Sequence, residues 1–142
     1  MELDELYQDM ILDHFKHPRN RQELSDEEVL VDEENPTCGD HIRLTAKVEG
    51  GVIRDVRYDG KGCAISTASA SMMSERLIGM PVVDARKLIG EFIALIRGER
   101  ESAPEAFGDL VALEGVKQYP MRVKCATMAW HAVEKALGKL GV

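Results

Sequence analysis

The hydrophobic and polar positions of this chain change from a helical period to strict alternation and back to a helical period. The first residues have the three- and four-residue spacing of an amphipathic helix, which Pro18 ends. Its apolar positions are Leu3, Leu6, Tyr7, Met10, Ile11 and Phe15. The polar and acidic residues 19–37 that follow predict an exposed connection, which leads into the turn signal Asn35-Pro36.

Alternation between apolar and polar side chains then predicts an antiparallel hairpin. One strand starts at Ile42, Gly50-Gly51 supplies a two-residue turn, and residues 52–58 form the return strand. A second turn at residues 59–62 and a short third strand through residues 63–65 complete the predicted sheet. We expect one face of this three-stranded antiparallel sheet to be covered by helices.

Helical periodicity returns after the sheet. A helix capped by Ser66 or Thr67 is predicted to run to about residue 78, where Gly79 can end it. Pro81 suits the first turn of the next helix. The apolar stripe of that helix is Val82, Leu88, Ile89, Phe92, Ile93 and Ile96.

The last part of the chain predicts an irregular segment and then a long helix. Residues 98–118 contain three glycines and Pro104, which favour short helices and loops, and the final helix begins near Pro120. Strands first and helices after them predict the α+β class, with a small antiparallel three-stranded sheet packed against a layer of helices.

Composition and charge exclude several classes of function. The formal net charge of −7 argues against a nucleic-acid partner, which requires a basic face. No apolar run approaches the roughly 18 residues of a membrane span. The acidic N-terminus lacks the basic and apolar regions of a signal peptide, so we expect a cytoplasmic protein. In that reducing compartment, three cysteines favour metal binding, catalysis or core packing over disulfides.

All three cysteines lie where a predicted element begins or ends. Cys38 follows the turn at residues 35–36, Cys63 precedes a helix, and Cys125 lies in the first turns of the last helix. Helix N-termini favour the negatively charged thiolate, which is the form that binds metal and attacks sulfur.

A carboxylate beside the first cysteine completes a candidate metal site. Asp40 follows Cys38 by two residues, and three thiolates with one carboxylate make a four-coordinate set that zinc accepts. His41 is an alternative fourth ligand, and burial of the cysteines in the core is the alternative to a metal site.

The sequences around the three cysteines resemble those of one known family. Asn35-Pro36-Thr37-Cys38-Gly39-Asp40 resembles the N-P-x-C-G-D loop of the IscU/NifU-like iron–sulfur cluster assembly proteins. Residues 60–72 are similar to the second cysteine motif of that family, and residues 122–130 to the third. This resemblance covers nearly the whole chain and implies one IscU/NifU-like domain over residues 1–142. It also implies a metal held by Cys38, Asp40, Cys63 and Cys125.

Two departures make the chain similar to the SufU branch of that family. Lys124 stands where the scaffold-type members carry histidine before the third cysteine, and residues 98–118 read as an inserted segment. Members of this branch are regarded as zinc-dependent sulfurtransferases that work with a SufS-type cysteine desulfurase.

The resemblance therefore implies that Cys38 is the catalytic residue. It would take sulfur from the desulfurase persulfide after a group of the desulfurase displaces it from zinc, and would pass that sulfur to downstream iron–sulfur assembly proteins. Two alternatives remain open at this point: a scaffold holding transient iron or a [2Fe–2S] cluster on the same residues, and a structural zinc domain that mediates protein contacts.

Overall fold

The computed structural model of the chain describes residues 5–36, 39–101 and 104–142. Three strands and a set of helices follow one another in the order α1, β1–β3 and α2–α5, with a 3₁₀ helix before α5. Their bounds are α1 Glu5–Lys16, β1 Val31–Asn35, β2 Asp40–Glu49, β3 Val52–Lys61, α2 Ala64–Leu77, α3 Val82–Ile96, α4 Pro104–Phe107, the 3₁₀ helix Gly108–Gln118 and α5 Pro120–Lys139.

The sheet has the predicted three antiparallel strands, in the order β1-β2-β3. The hairpin turn is where the sequence placed it: Gly50 and Gly51 have φ values of 59° and 75°, which two-residue turns of this kind require and glycine adopts without strain.

Two of the predicted boundaries within the sheet were wrong. The third strand is β1, which lies inside the predicted exposed connection, whereas residues 64 and 65 begin α2 and Cys63 directly precedes it. Strand β3 continues through the predicted turn at residues 59–62 as far as Lys61, and Gly60 pairs there with Ile42. At Gly60 a Cβ atom would lie 2.1 Å from the carbonyl oxygen of His41, so the strand continues only because this residue is glycine.

The chain between α1 and β1 is fastened to the sheet instead of being a free connection. Leu24 is buried, and its backbone N–H donates to the Asp59 carboxylate at 2.7 Å. Arg43 donates two further hydrogen bonds to the same carboxylate, at 2.8 and 2.7 Å, and they lower the pKa of Asp59. Tyr58 donates to the carbonyl oxygen of Arg19 at 3.0 Å, which attaches the start of this segment to β3.

The hydrophobic core lies between the sheet and the helices. All six residues of the predicted α3 stripe are buried, as expected for the inward face of an amphipathic helix. The rings of Phe92 in α3 and Trp130 in α5 stack with their centroids 4.1 Å apart. Residues 98–118 form short helices as predicted, and they also contribute to the core through Phe107, Leu110 and Leu113, which are fully buried. Among the helices of the described residues, none has the length and apolarity that a bilayer crossing requires.

Candidate metal centre

Asp40, Cys63 and Cys125 come together although they are far apart in the sequence. One carboxylate oxygen and the two Sγ atoms all lie within 4.8 Å of one another. Asp40 is the first residue of β2, Cys63 immediately precedes α2, and Cys125 lies in the second turn of α5. Cys38 lies outside the described residues, so its prediction as fourth ligand and sulfur acceptor remains a prediction.

Asp40 points inward because of its place in the strand. It shares the face of Ile42, and its residue is only 1% exposed. Its Oδ1 atom accepts a hydrogen bond from the backbone N–H of Cys63 at 3.0 Å, and its Oδ2 atom lies 3.9 Å from the Cys63 Sγ atom. The carboxylate therefore contacts both the backbone and the thiol of the second cysteine.

His41, the alternative fourth ligand, faces the other way. Its Nε2 atom lies 2.5 Å from Oδ1 of Asp32 on the neighbouring strand. Side chains alternate across a strand, so Asp40 and His41 cannot point to the same side. Within the part of the chain that the structure describes, the three-residue donor group contains no histidine.

Cys63 is the N-cap of α2, where the sequence predicted Ser66 or Thr67. Its Sγ atom accepts the backbone N–H of Ser66 at 3.5 Å, and the Ser66 hydroxyl donates back to the Cys63 carbonyl oxygen at 3.1 Å. The first of these is an N-cap bond with sulfur as the acceptor, and the second runs from a hydroxyl back to the carbonyl oxygen three residues before it.

Gly62 allows the Asp40 side chain and the start of α2 to lie close together, because it has no Cβ atom. A Cβ atom at this position would lie 2.1 Å from the Ser66 hydroxyl oxygen and 3.0 Å from Oδ1 of Asp40. Sequence reasoning did not assign Gly62 or Ser66 to the site. The signal available for them was a glycine directly before a cysteine and a serine three residues after it, which is where an N-cap side chain finds a backbone N–H to accept.

Cys125 is the more buried of the two described cysteines, with 1% of the residue exposed. Pro120 occupies the first position of α5, where its missing N–H costs nothing. One turn after that start, the Cys125 thiol lies 3.6 Å from the carbonyl oxygen of Met121, within reach of the weak hydrogen bond that a thiol donates.

The chemistry of these donors fits zinc. Two thiols and a carboxylate are ligands that zinc accepts, whereas Mg²⁺ and Ca²⁺ prefer oxygen alone. Zinc–sulfur bonds of about 2.3 Å in a tetrahedron place neighbouring sulfurs about 3.8 Å apart. Donor atoms within 4.8 Å reach that spacing by side-chain movements of about 1 Å. Three ligands leave one tetrahedral position for a fourth donor.

A groove lies beside the centre, between the end of β1 and the start of α5. It has a volume of about 670 Å³ and is bordered by Pro36, two residues before Cys38, and by Lys124, next to Cys125. Burial, followed by the nearby Arg97 charge, lowers the pKa of His131 in the wall, so this imidazole is neutral at pH 7. The charged lining is mainly cationic: Arg97, Lys117, Lys124 and Lys135 against Glu33 and Glu34.

Fold and site together define an α+β protein with a cysteine- and aspartate-lined metal centre at the junction of a sheet and two helices. The chain belongs to the family described as the NifU-like N terminal domain, whose model matches residues 6–140.

Named relatives in this family divide between two descriptions. The chain is 44% identical over 137 residues to the zinc-dependent sulfurtransferase SufU of Bacillus subtilis, covering 96% of this chain and 92% of that protein. It is 39% identical to the iron–sulfur cluster assembly scaffold protein IscU of Streptococcus pyogenes, covering 95% of this chain and 84% of that protein.

A solved structure confirms the fold. The crystal structure of a protein from Fervidobacterium islandicum AW-1, named as an iron–sulfur cluster assembly scaffold for the SUF system (FiSufU), superposes with a TM-score of 0.79. The two chains are 32% identical, and the match covers 90% of this chain and 93% of the other. The predicted α+β class, with its three-stranded sheet and layer of helices, is thereby confirmed.

Proposed function

We propose that this protein is a zinc-dependent sulfur acceptor in iron–sulfur cluster assembly, which takes persulfide sulfur from a SufS-type cysteine desulfurase. The observation that carries the proposal is the grouping of Asp40, Cys63 and Cys125 within 4.8 Å. The 44% identity to a zinc-dependent sulfurtransferase over nearly the full chain supports the same function.

Four residues would hold the zinc ion: Cys38, Asp40, Cys63 and Cys125. Cys38 is two residues before Asp40, so the short loop through Gly39 supports its assignment as the fourth ligand. Gly39 has a φ of 74°, a conformation that glycine adopts readily, and its N–H donates to the Asn35 carbonyl oxygen at 2.8 Å. Bound zinc supplies one chemical effect here, because it keeps the cysteines in the thiolate form at neutral pH.

Cys38 is proposed as the acceptor because it lies in the connection between two strands and follows Pro36, which lines the open groove, by two residues. Cys125, by contrast, is 1% exposed and Cys63 caps a helix. The Cys38 thiolate attacks the outer sulfur of the partner's persulfide. A new S–S bond forms at Cys38 while the S–S bond of the donor breaks, the donor cysteine leaves as a thiolate, and the proton stays on the transferred sulfur.

The groove is the proposed approach for the partner. Its lining carries more cationic than acidic side chains on a chain of net charge −7, which favours a partner segment that is anionic. Downstream, the sulfur would pass to further iron–sulfur assembly proteins.

The test compares Cys38→Ala with His41→Ala in a desulfurase assay that measures alanine and sulfide release. His41 is the matched control, because it lies three residues away and faces the opposite side of β2. We expect Cys38→Ala to abolish stimulation of the desulfurase and His41→Ala to retain it, with both variants folded by circular dichroism. Full stimulation by Cys38→Ala would refute the acceptor assignment.

A scaffold for a transient [2Fe–2S] cluster is the second candidate function. The 39% identity to IscU of Streptococcus pyogenes favours it, and thiolates bind such clusters readily. Lys124, in place of the scaffold-type histidine, favours the sulfur acceptor instead. Anaerobic reconstitution with iron and sulfide separates the two, since a scaffold would form a stable cluster and transfer it to an apo-ferredoxin.

A further inference from the structure

We infer that Ser69 is a positioning residue for the metal centre, because its hydroxyl group fixes the two cysteine-bearing helices relative to each other. This inference rests on the proposed function in one respect only, namely that the centre binds zinc. It does not depend on which residue accepts sulfur or on which partner donates it.

The Ser69 hydroxyl is shared between two groups of α5. It donates to the backbone carbonyl oxygen of Ala126 at 2.5 Å and accepts the indole N–H of Trp130 at 3.1 Å. Ser69 and Trp130 are both 0% exposed, so neither group can turn to water instead. A hydroxyl has a single proton, and the bond from Trp130 leaves that proton directed at Ala126.

The position of this bond connects it to the metal ligands. Ala126 follows Cys125 directly, so the accepting carbonyl belongs to the residue after the ligand-bearing one. On the other side, Ser69 lies six residues after Cys63 in the helix that Cys63 caps, which is a distance of about 9 Å along the axis. One hydrogen bond therefore sets how the N-terminus of α2 meets the second turn of α5.

A small displacement of the two helices would change the distances between the ligand atoms of the metal centre. Metal sites depend on ligand distances within about 0.2 Å, and loss of an outer hydrogen bond typically costs 10- to 100-fold in metal affinity. Ser69→Ala removes the hydroxyl and leaves both the Ala126 carbonyl and the Trp130 indole without this partner. We expect zinc affinity to fall about tenfold, which is the lower end of that range.

Ser71 provides a matched control on the same helix. It is equally buried, but its hydroxyl contacts Nδ1 of His14 at 2.7 Å and accepts the N–H of Arg19 at 2.8 Å, on the side of α2 away from α5. Ser71→Ala therefore removes a buried hydroxyl and destabilises the protein without touching the cysteine-bearing helix α5. A merely structural role of Ser69 would give the two variants the same behaviour.

The experiment measures zinc affinity by chelator competition, and the absorption of the Co²⁺-substituted protein, for wild type, Ser69→Ala and Ser71→Ala. We expect Ser69→Ala alone to lose about tenfold in affinity and to change the cobalt–thiolate absorption, with Ser71→Ala within twofold of wild type. Equal zinc affinity of Ser69→Ala and Ser71→Ala would overturn the inference, whatever their thermal stability.

A second variant keeps the test decisive if Ser69→Ala does not fold. Ser69→Cys has a similar shape and a much weaker donor, so its zinc affinity should lie between wild type and a tenfold loss, with Ser71→Cys as the control for an added thiol. Unchanged affinity of Ser69→Cys would count against the inference. A wild-type protein that binds zinc but does not stimulate the desulfurase would refute the proposed function and leave this inference standing.

Discussion

At the scale of single residues, the candidate metal centre depends on Gly62, where any side chain would displace its neighbours. Gly62→Ala would put a methyl group 2.1 Å from the Ser66 hydroxyl and 3.0 Å from the Asp40 carboxylate. Both groups hold Cys63, so one or both must move away from it. We expect zinc affinity to fall about tenfold, as for loss of other outer contacts of a metal site. Chelator competition at pH 7.5 measures it.

Gly90 is the control for that substitution. It lies in the exposed middle of α3, and a Cβ atom there would meet nothing within 4 Å. Gly90→Ala should stabilise the protein by about 0.5–1 kcal/mol through helix propensity and leave zinc affinity unchanged. Wild-type affinity in Gly62→Ala would show that the crowding is relieved away from the ligands.

The sequence contained the metal-binding residue types but not the contacts around them. Cysteines at element ends and Asp40 two residues after Cys38 were enough to propose a four-ligand site. The choice between Asp40 and His41 as the fourth ligand stayed open in the sequence, and the structure decides it by turning Asp40 inward and His41 outward. Gly62 and Ser66 were not assigned, because their importance arises from the distance between β2 and α2, and no local pattern encodes that distance.

At the scale of secondary structure, the clearest departure from the sequence pattern is β1. Its sequence is VDEEN, with one hydrophobic residue, so neither alternation nor β propensity indicates a strand. The strand forms because its backbone pairs with the edge of β2, from Val31 opposite Leu44 to Asn35 opposite Asp40. Amphipathic helices such as α3 were predictable, since their periodicity is local, whereas strand pairing is not. The interpretation of residues 98–118 as an inserted segment stays a prediction.

Helix α1 is docked through a histidine that must stay neutral. His14 is 7% exposed and contacts the Ser71 hydroxyl of α2 through Nδ1 at 2.7 Å. Burial lowers the pKa of His14 below 6.5, and the Arg19 charge lowers it further, against weaker opposing effects of Glu75, Asp13 and Asp109. Protonation is therefore harder in the folded protein than in the unfolded chain.

This environment predicts a pH-dependent docking of α1. His14 contributes stability that is fully present above pH 6.5 and is lost as the pH falls from there toward its lower folded-state pKa. The free energy of unfolding of zinc-free wild type should fall between pH 7.5 and 5.5 more than that of His14→Gln, which does not titrate. Parallel urea titrations at each pH measure the difference. Identical pH dependence of the two proteins would contradict the prediction.

At the scale of the whole molecule, the metal centre joins three distant parts of the chain. Its described candidate ligands come from the sheet, from the start of α2 and from α5, at positions 40, 63 and 125. The unfolded chain does not hold these groups together, so we expect zinc to bind the folded state preferentially and to stabilise it. At free zinc 1,000 times its dissociation constant, this linkage amounts to about 4 kcal/mol.

The substitution Cys63→Ser distinguishes the proposed role of Cys63 as a zinc ligand from its role as the N-cap of α2. Serine is among the best N-cap residues, so its hydroxyl should replace the Cys63 sulfur as acceptor for the Ser66 N–H and preserve the start of α2. The free energy of unfolding of the zinc-free variant should therefore be at least as large as that of zinc-free wild type. It loses a thiolate ligand, however, and a neutral hydroxyl is a poor substitute, so added zinc should stabilise it far less than the several kcal/mol expected for wild type. Urea unfolding with and without saturating zinc gives both differences. Equal stabilisation of wild type and Cys63→Ser by zinc would mean that the ion is bound elsewhere. A much lower stability of the zinc-free variant would mean that the Cys63 sulfur makes packing contacts that the serine hydroxyl cannot replace.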